Sequence, residues 1–348
     1  MSHAAPPPLR VFDGHNDTLT REDEADFVSG RAAGHVDLPR ARAGGLGGGI
    51  FALFTDTPGY DPDFEPSPDG RLDAPLSPAI GADVAAPDAT RAAGRLLALE
   101  RAGHVRLART PGDLDAAAAD GVLAAVMHLE GAEAIDPGLE ALDLWHAAGL
   151  RSLGPVWSRP NAFAHGVPFA FPASPDTGPG LTEAGRALVR RCADLGIAVD
   201  LSHLNEAGFW DVARIDAAPL IASHSGAHAL CAASRNLTDR QIDAIGASGG
   251  LVGIVFAVPF LRADGRDDAD TPLATIVAHV RHVAERIGVA HVALGSDFDG
   301  ATIPAELGDV AGLPRLLDGL RAAGFSEEEL RAIAWDNWRR TLERAWGG

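Results

Sequence analysis

RVFDGH, residues 10–15, is a short apolar run that ends on a glycine and a histidine, and seven runs of similar build follow it. They are GGIFALF (48–54), VLAAVMHLE (122–130), LRSLGPVW (150–157), IAVDLSH (197–203), PLIASH (219–224), GLVGIVF (250–256) and HVALGSD (291–297). Near-continuous apolar runs of this length suit parallel strands covered on both faces. Between them the apolar spacing changes to that of helices, over 88–102, 139–148, 182–195, 205–212, 239–247 and 271–287. Two further helical patterns, near 312–323 and 326–345, close the chain. Thr182, Thr238 and Ser326 stand where helix N-caps are expected, the last heading the best capping box, Ser-Glu-Glu-Glu. Eight alternations of strand and helix predict an α/β fold, a (β/α)8 TIM barrel. No stretch reads as an interdomain linker. Residues 1–348 are therefore expected to form a single domain, with long active-site loops near 56–87 and 160–181, rich in Pro, Gly and Asp.

Placing the polar residues on these strands sorts them. His15 and Asp17 end the first, Glu130 the third, His203 the fifth, His224 the sixth and Asp297 the eighth. Strand C-terminal ends form the active-site face of this barrel. One histidine near a strand end is more often a hydrogen-bonded core residue than a ligand; agreement among several strands is what points to metal. In His15-x-Asp17 both side chains project to one side of an extended segment and can reach one ion. Imidazole and carboxylate donors suit zinc. His203 and His224, on adjacent strands, suit a second ion, and Glu130 can place one oxygen on each. Two divalent ions, zinc being the expected metal, would share a hydroxide and polarise a carbonyl, with Asp297 as general base. That chemistry is hydrolysis of an amide, ester or lactam. Of the other histidines, His35, His104, His146, His279, His282 and His291 fall outside the predicted active face. His128 reads as core, and His228 as either a support to the site or a loop residue. Arg235, in Ser-Arg-Asn (234–236), is either a grip for a substrate carboxylate or an ordinary surface arginine.

Composition narrows the chemistry further. The chain has no lysine, which excludes Schiff-base catalysis, a P-loop lysine and a carboxylated lysine between two metals. A bridge must then come from Asp or Glu, which favours Glu130. The net charge of -19 argues against nucleic acid and against an anionic membrane surface. Cys192 and Cys231 form no CxxC pattern and read as two buried thiols in a reducing compartment. With no secretory signal, no run of about 20 apolar residues and no hydrophobic C-terminal tail, a cytoplasmic location is expected.

The motifs DGHNDT (13–18), GHVDLPRARAGG (34–45), HLEGAE (128–133), DLSHL (200–204), SHSGAH (223–228), SRNLTD (234–239) and GSDFDG (295–300) span nearly the whole chain. In this order they resemble the renal (membrane) dipeptidase family of zinc hydrolases. The resemblance implies His15 and Asp17 on one metal, Glu130 bridging, His203 and His224 on the other, and Asp297 handling protons. It further implies Arg235 on the terminal carboxylate of a dipeptide, with a D-residue accepted at the C-terminal position and a homodimer as the typical assembly. Two departures stand out. Trp157 occupies the place of a family histidine that contacts the reacting carbonyl, and His165 is the candidate to reach back in its stead. A family tyrosine near the seventh strand is absent, the segment reading IVFAV. Trp157, Asn236 and His165 join Arg235 as candidate substrate-binding residues. Rival readings are a hydrolase of other amides or lactones, such as N-acyl amino acids, on the same binuclear site, a mononuclear variant, and a non-catalytic metal-binding barrel.

Overall fold

Every one of the eight apolar runs contains a strand. The structure, a computed structural model, describes residues 9–60, 67, 70–215 and 219–347. Eleven strands occur among them: β1 (Val11–Asn16), β2 (Leu46–Leu53), β3 (Leu72–Ala74), β4 (Val105–Leu107), β5 (Leu123–Glu130) and β6 (Leu150–Gly154), then β7 (Phe169–Phe171), β8 (Ala198–Val199), β9 (Ile221–Ser225), β10 (Leu251–Ile254) and β11 (Val292–Leu294). β1, β2, β5, β6 and β8 form one parallel sheet in that order, and β9, β10 and β11 form a second. β4 pairs with the start of β5, below the stretch that β6 takes. The two sheets meet at both edges through single parallel bridges, Asp200 with Ile221 and Asn16 with Phe298. Asp297 N also donates to His15 O at 3.0 Å, which brings the end of the last strand to the end of the first.

Strand side chains alternate between two apolar environments, as a period of two requires. Phe12, Ile50, Ala124, Val126, Ala198, Ile221, Leu251 and Ala293 form one buried cluster with Trp338 and Leu342. Val11, Phe51, Ala125 and Met127 face the other way, into a larger cluster that includes Leu96, Leu188 and Ile276 of the helices. Trp338 stoppers the inner cluster, donating its indole N–H to Leu294 O at 2.9 Å. Its ring fills the space that a Cβ on Gly14 would need.

The helices lie close to the expected positions, with informative differences. Thr182, Thr238 and Ser326 cap their helices, and both Thr238 and Ser326 close full capping boxes. Ala82–Arg101 starts earlier than its apolar spacing suggests, and Pro111–Asp120, capped by Thr110 and Asp113, is an extra helix. The last helical stretch is interrupted by a wide π turn at Ala332–Asp336. The two long loops are joined: β3 and β7 pair antiparallel, Leu72 opposite Phe171 and Ala74 opposite Phe169. They pack on Cys231, Val255 and Phe260. Residues 61–66, 68 and 69 of the first loop lie outside the described residues. No described helix is long and apolar enough to cross a membrane.

Candidate metal centre and active-site cavity

The polar residues at the strand ends converge. Glu130 closes β5, and its two oxygens divide between two sets of donors. Oε2 lies 3.6 Å from His15 Nε2, and Oε1 lies 3.0 Å from His203 Nε2 and 3.6 Å from His224 Nε2. His15 Nε2 is also 3.6 Å from Asp17 Oδ2. Two groups able to hold an ion result, His15–Asp17–Glu130 and Glu130–His203–His224, sharing Glu130. A third grouping, His15–Asp200–His224, is weakened as a site because three donors already occupy the Asp200 carboxylate.

Some of these donors lack hydrogen-bond partners, and others face one another. Both ring nitrogens of His15 are buried without a hydrogen-bond partner among the described residues. His203 Nε2 and His224 Nε2 face each other at 3.1 Å. Buried polar atoms are normally satisfied, so orphaned nitrogens beside two carboxylates fit a metal site. The tautomer of His224 follows from its neighbours. Ser223 Oγ donates its one proton to Asp200 Oδ2 at 2.5 Å, so it must accept from His224 Nδ1 at 2.7 Å. His224 Nε2 then carries the lone pair that a metal needs. His203 Nδ1 sits 2.9 Å from Ser158 Oγ and 3.1 Å from Arg235 Nε.

The electrostatics match this crowding. Burial works against the charge on Glu130, but His15 and His203 hold its carboxyl well below the usual range. Burial likewise opposes protonation of His15, yet Glu130 and Asp17 outweigh it and push the imidazole well above its ordinary value. Burial, then the positive charge of Arg235, lowers His203 to about 3, and burial with His15 and Arg235 takes His224 well below its ordinary value. Both imidazoles are thereby held neutral near pH 7, the form in which a histidine can hold a metal. Asp297 is raised to about 7 by burial and by the Asp17 carboxylate, within reach of a proton-transfer role. His203, Asp297 and Asp299 all have φ between 63° and 67°, a costly conformation away from glycine that concentrates at functional sites.

A cavity of about 880 Å3 opens over this cluster. Asp17, Glu130, His203 and Asp297 line it, so three of the five candidate ligands and the candidate base share one chamber. Trp157 also lines it, its ring 5.8 Å from that of His203 and flanked by Phe54 and Phe169. Beneath Trp157 is Arg159, fully buried, paired with Glu133 at 2.8 Å and bonded to Thr55 O. The other predicted substrate residues sit differently. Arg235 is buried behind the histidines, its remaining donors on Ser225 Oγ and His224 O at 3.2 Å. Burial lowers it to about 10. Asn236 bonds Gly226 N, Cys231 O and Phe260 O, and thus braces the loop beside Arg235. His165 packs over Gly178 and is not among the cavity-lining residues. His35, expected off the active face, does line the cavity: its Nδ1 accepts from Asp299 N at 2.9 Å. Its motif, GHVDLPR, was the only signal, since it lies outside any strand.

Comparison with known proteins agrees with this chemistry. Residues 7–346 match the family model described as membrane dipeptidase, peptidase family M19. A solved structure of a metallopeptidase, dipeptidase AC, superposes with a TM-score of 0.92 at 50% identity, covering 98% of this chain and all of that one. A metallopeptidase from Rhodobacter sphaeroides, solved with a phosphinate mimic of the dipeptide L-Ala-D-Ala, also gives 0.92, at 48% identity over 97% of this chain and all of its own. A protein from Klebsiella pneumoniae, described as uncharacterized and from the pqqA 5′ region, is 52% identical over 70% of this chain and 90% of its own length. The chain is a metal-dependent dipeptidase and belongs to the membrane dipeptidase family, M19.

Proposed function

We propose that the chain cleaves dipeptides, a D-residue being accepted at the C-terminal position, at a centre of two zinc ions held by His15, Asp17, Glu130, His203 and His224. The observation that carries this reading is the division of the Glu130 oxygens between two donor sets inside one cavity. The similar Rhodobacter sphaeroides protein, solved with its L-Ala-D-Ala mimic, supports the choice of substrate. Bound divalent ions would supply an activated water and polarise the scissile carbonyl.

The rest of the work falls to the chain. Asp297, with its carboxyl raised to about 7, takes a proton at its carboxylate and returns it to the departing amine nitrogen. Ser223 and Ser158 orient the imidazoles of His224 and His203. Trp157 and the aromatic wall keep water from the reacting end. Arg235 is assigned the terminal carboxylate of the substrate. That role requires its Nε to leave His203 Nδ1, the contact it makes in this structure. The edge bridges support closure of the two sheets into one (β/α)8 barrel, forming a single domain over 1–348. A cytoplasmic homodimer completes the reading. The test is turnover by zinc-loaded protein of L,L- and L,D-dipeptides set against N-acyl amino acids. Cleavage confined to the N-acyl compounds would replace dipeptides by the rival substrate class that Trp157 suggests.

A further inference from the structure

The cavity over the candidate ligands holds more than those ligands. Its volume of about 880 Å3 is that of a pocket for a far larger molecule than alanylalanine. Part of its wall is aromatic, built by Phe54, Trp157, Phe169 and Phe260, and no arginine is among the described lining residues. Asp267 lines the same cavity from the segment after β10. Its Oδ2 accepts from Thr302 Oγ1 at 3.2 Å, while its Oδ1 is shielded from solvent with no hydrogen-bond partner among the described residues. The nearby Arg262 does not serve it, since that guanidinium is held by Asp264 at 2.7 Å and by Asp268 at 3.7 Å. A carboxylate oxygen kept from water and left unpaired is costly unless a partner arrives. Aromatic faces lining the same cavity attract organic cations.

We propose that Asp267 receives a cationic group of the substrate, either the α-ammonium of the N-terminal residue or the ammonium or guanidinium of a basic side chain. Dipeptides bearing such a group are then preferred over acidic or N-acylated ones. The inference rests on the dipeptidase reading and adds a specificity residue to it. The experiment compares kcat and KM of zinc-loaded wild type, Asp267→Asn and Asp267→Glu on L-Ala-D-Ala, L-norleucyl-D-Ala and L-Lys-D-Ala. Metal content and melting temperature are measured for each variant.

Asp267→Asn should raise KM about tenfold or more with kcat little changed, and Asp267→Glu should recover much of the loss. A loss confined to L-Lys-D-Ala identifies the side-chain cation; an equal loss on all three identifies the α-ammonium. Unchanged KM on all three substrates overturns the proposal while leaving the dipeptidase reading intact. Absence of turnover by wild type on every dipeptide defeats the dipeptidase reading instead. In that case calorimetric titration of wild type and Asp267→Asn with lysyl and norleucyl phosphinate mimics still decides the cation site, unchanged affinity of the variant for both mimics counting against it.

Discussion

Ser223→Ala isolates the tautomer argument at His224. The hydroxyl passes a hydrogen bond from His224 Nδ1 (2.7 Å) to Asp200 Oδ2 (2.5 Å), both partners being buried. Removing Oγ strands two groups at once. Asp200 Oδ1 keeps Ser202 N at 3.1 Å and Ser223 N at 2.8 Å, but Oδ2 is left with His128 Nε2 at 3.8 Å as its neighbour. An unsatisfied buried acceptor of this kind costs about 1–3 kcal/mol of stability. His224, no longer held with its proton on Nδ1, loses its preparation as a ligand through Nε2. Losses of such supporting bonds lower metal affinity roughly 10–100-fold, about 1.4–2.7 kcal/mol. The assay is competition between a chromophoric chelator and the protein for zinc at fixed pH, with thermal melting of the metal-free form measured in parallel. A lower melting temperature together with zinc affinity within about twofold of wild type would refute the tautomer argument, because it would make Ser223 a packing residue only.

Two further outcomes follow from the same geometry. Asp297→Asn should reduce kcat by roughly 10²–10⁴-fold while the bound metal content stays that of wild type, measured by steady-state kinetics and elemental analysis; undiminished turnover would remove Asp297 from proton transfer. In metal-free protein, His15 is held well above its ordinary value and Asp297 near 7, so above about pH 6.5 the folded form keeps protons that the unfolded form has released. His203, His224, His128 and His279 are held low in the folded form and oppose this trend until the unfolded histidines are neutral too, so stability should fall as pH rises from about 7.5 to 9. Bound metal displaces the His15 proton, so the zinc-loaded protein should melt at a temperature that does not fall over that range, and parallel falls for the two forms would contradict the assignment.

The strands were legible because each is a short apolar run, and several are closed by the polar residue they deliver, as VLAAVMHLE delivers Glu130. The candidate ligands were legible for the same reason: position along a strand tells which end of the sheet a side chain reaches. The β3–β7 pair was not, because three-residue strands carry too little periodicity and these two pair across nearly a hundred residues. Helix Pro111–Asp120 was missed although Thr110 and Asp113 form its cap, since its alanine-rich face has weak contrast. Residues on loops were the least readable. His35 reaches the cavity because Asp299 N–H holds its ring, whereas His165 turns to Gly178 and Asn236 to three backbone groups. Closeness to a motif in sequence says little about which way a loop side chain points. Of the serines that orient the histidines, Ser223 stands in the SHSGAH motif and Ser158 just after the LRSLGPVW run, yet their roles depend on partners distant in sequence.

The central claim is a shared carboxylate between two ions that together permit dipeptide cleavage. Its most direct test is titration of chelator-treated protein with zinc, following bound metal and L-Ala-D-Ala hydrolysis in the same samples. The account predicts that activity rises until two ions are bound per chain, and that Glu130→Ala holds neither tightly. Full activity at one ion per chain, or wild-type metal binding by Glu130→Ala, would contradict it.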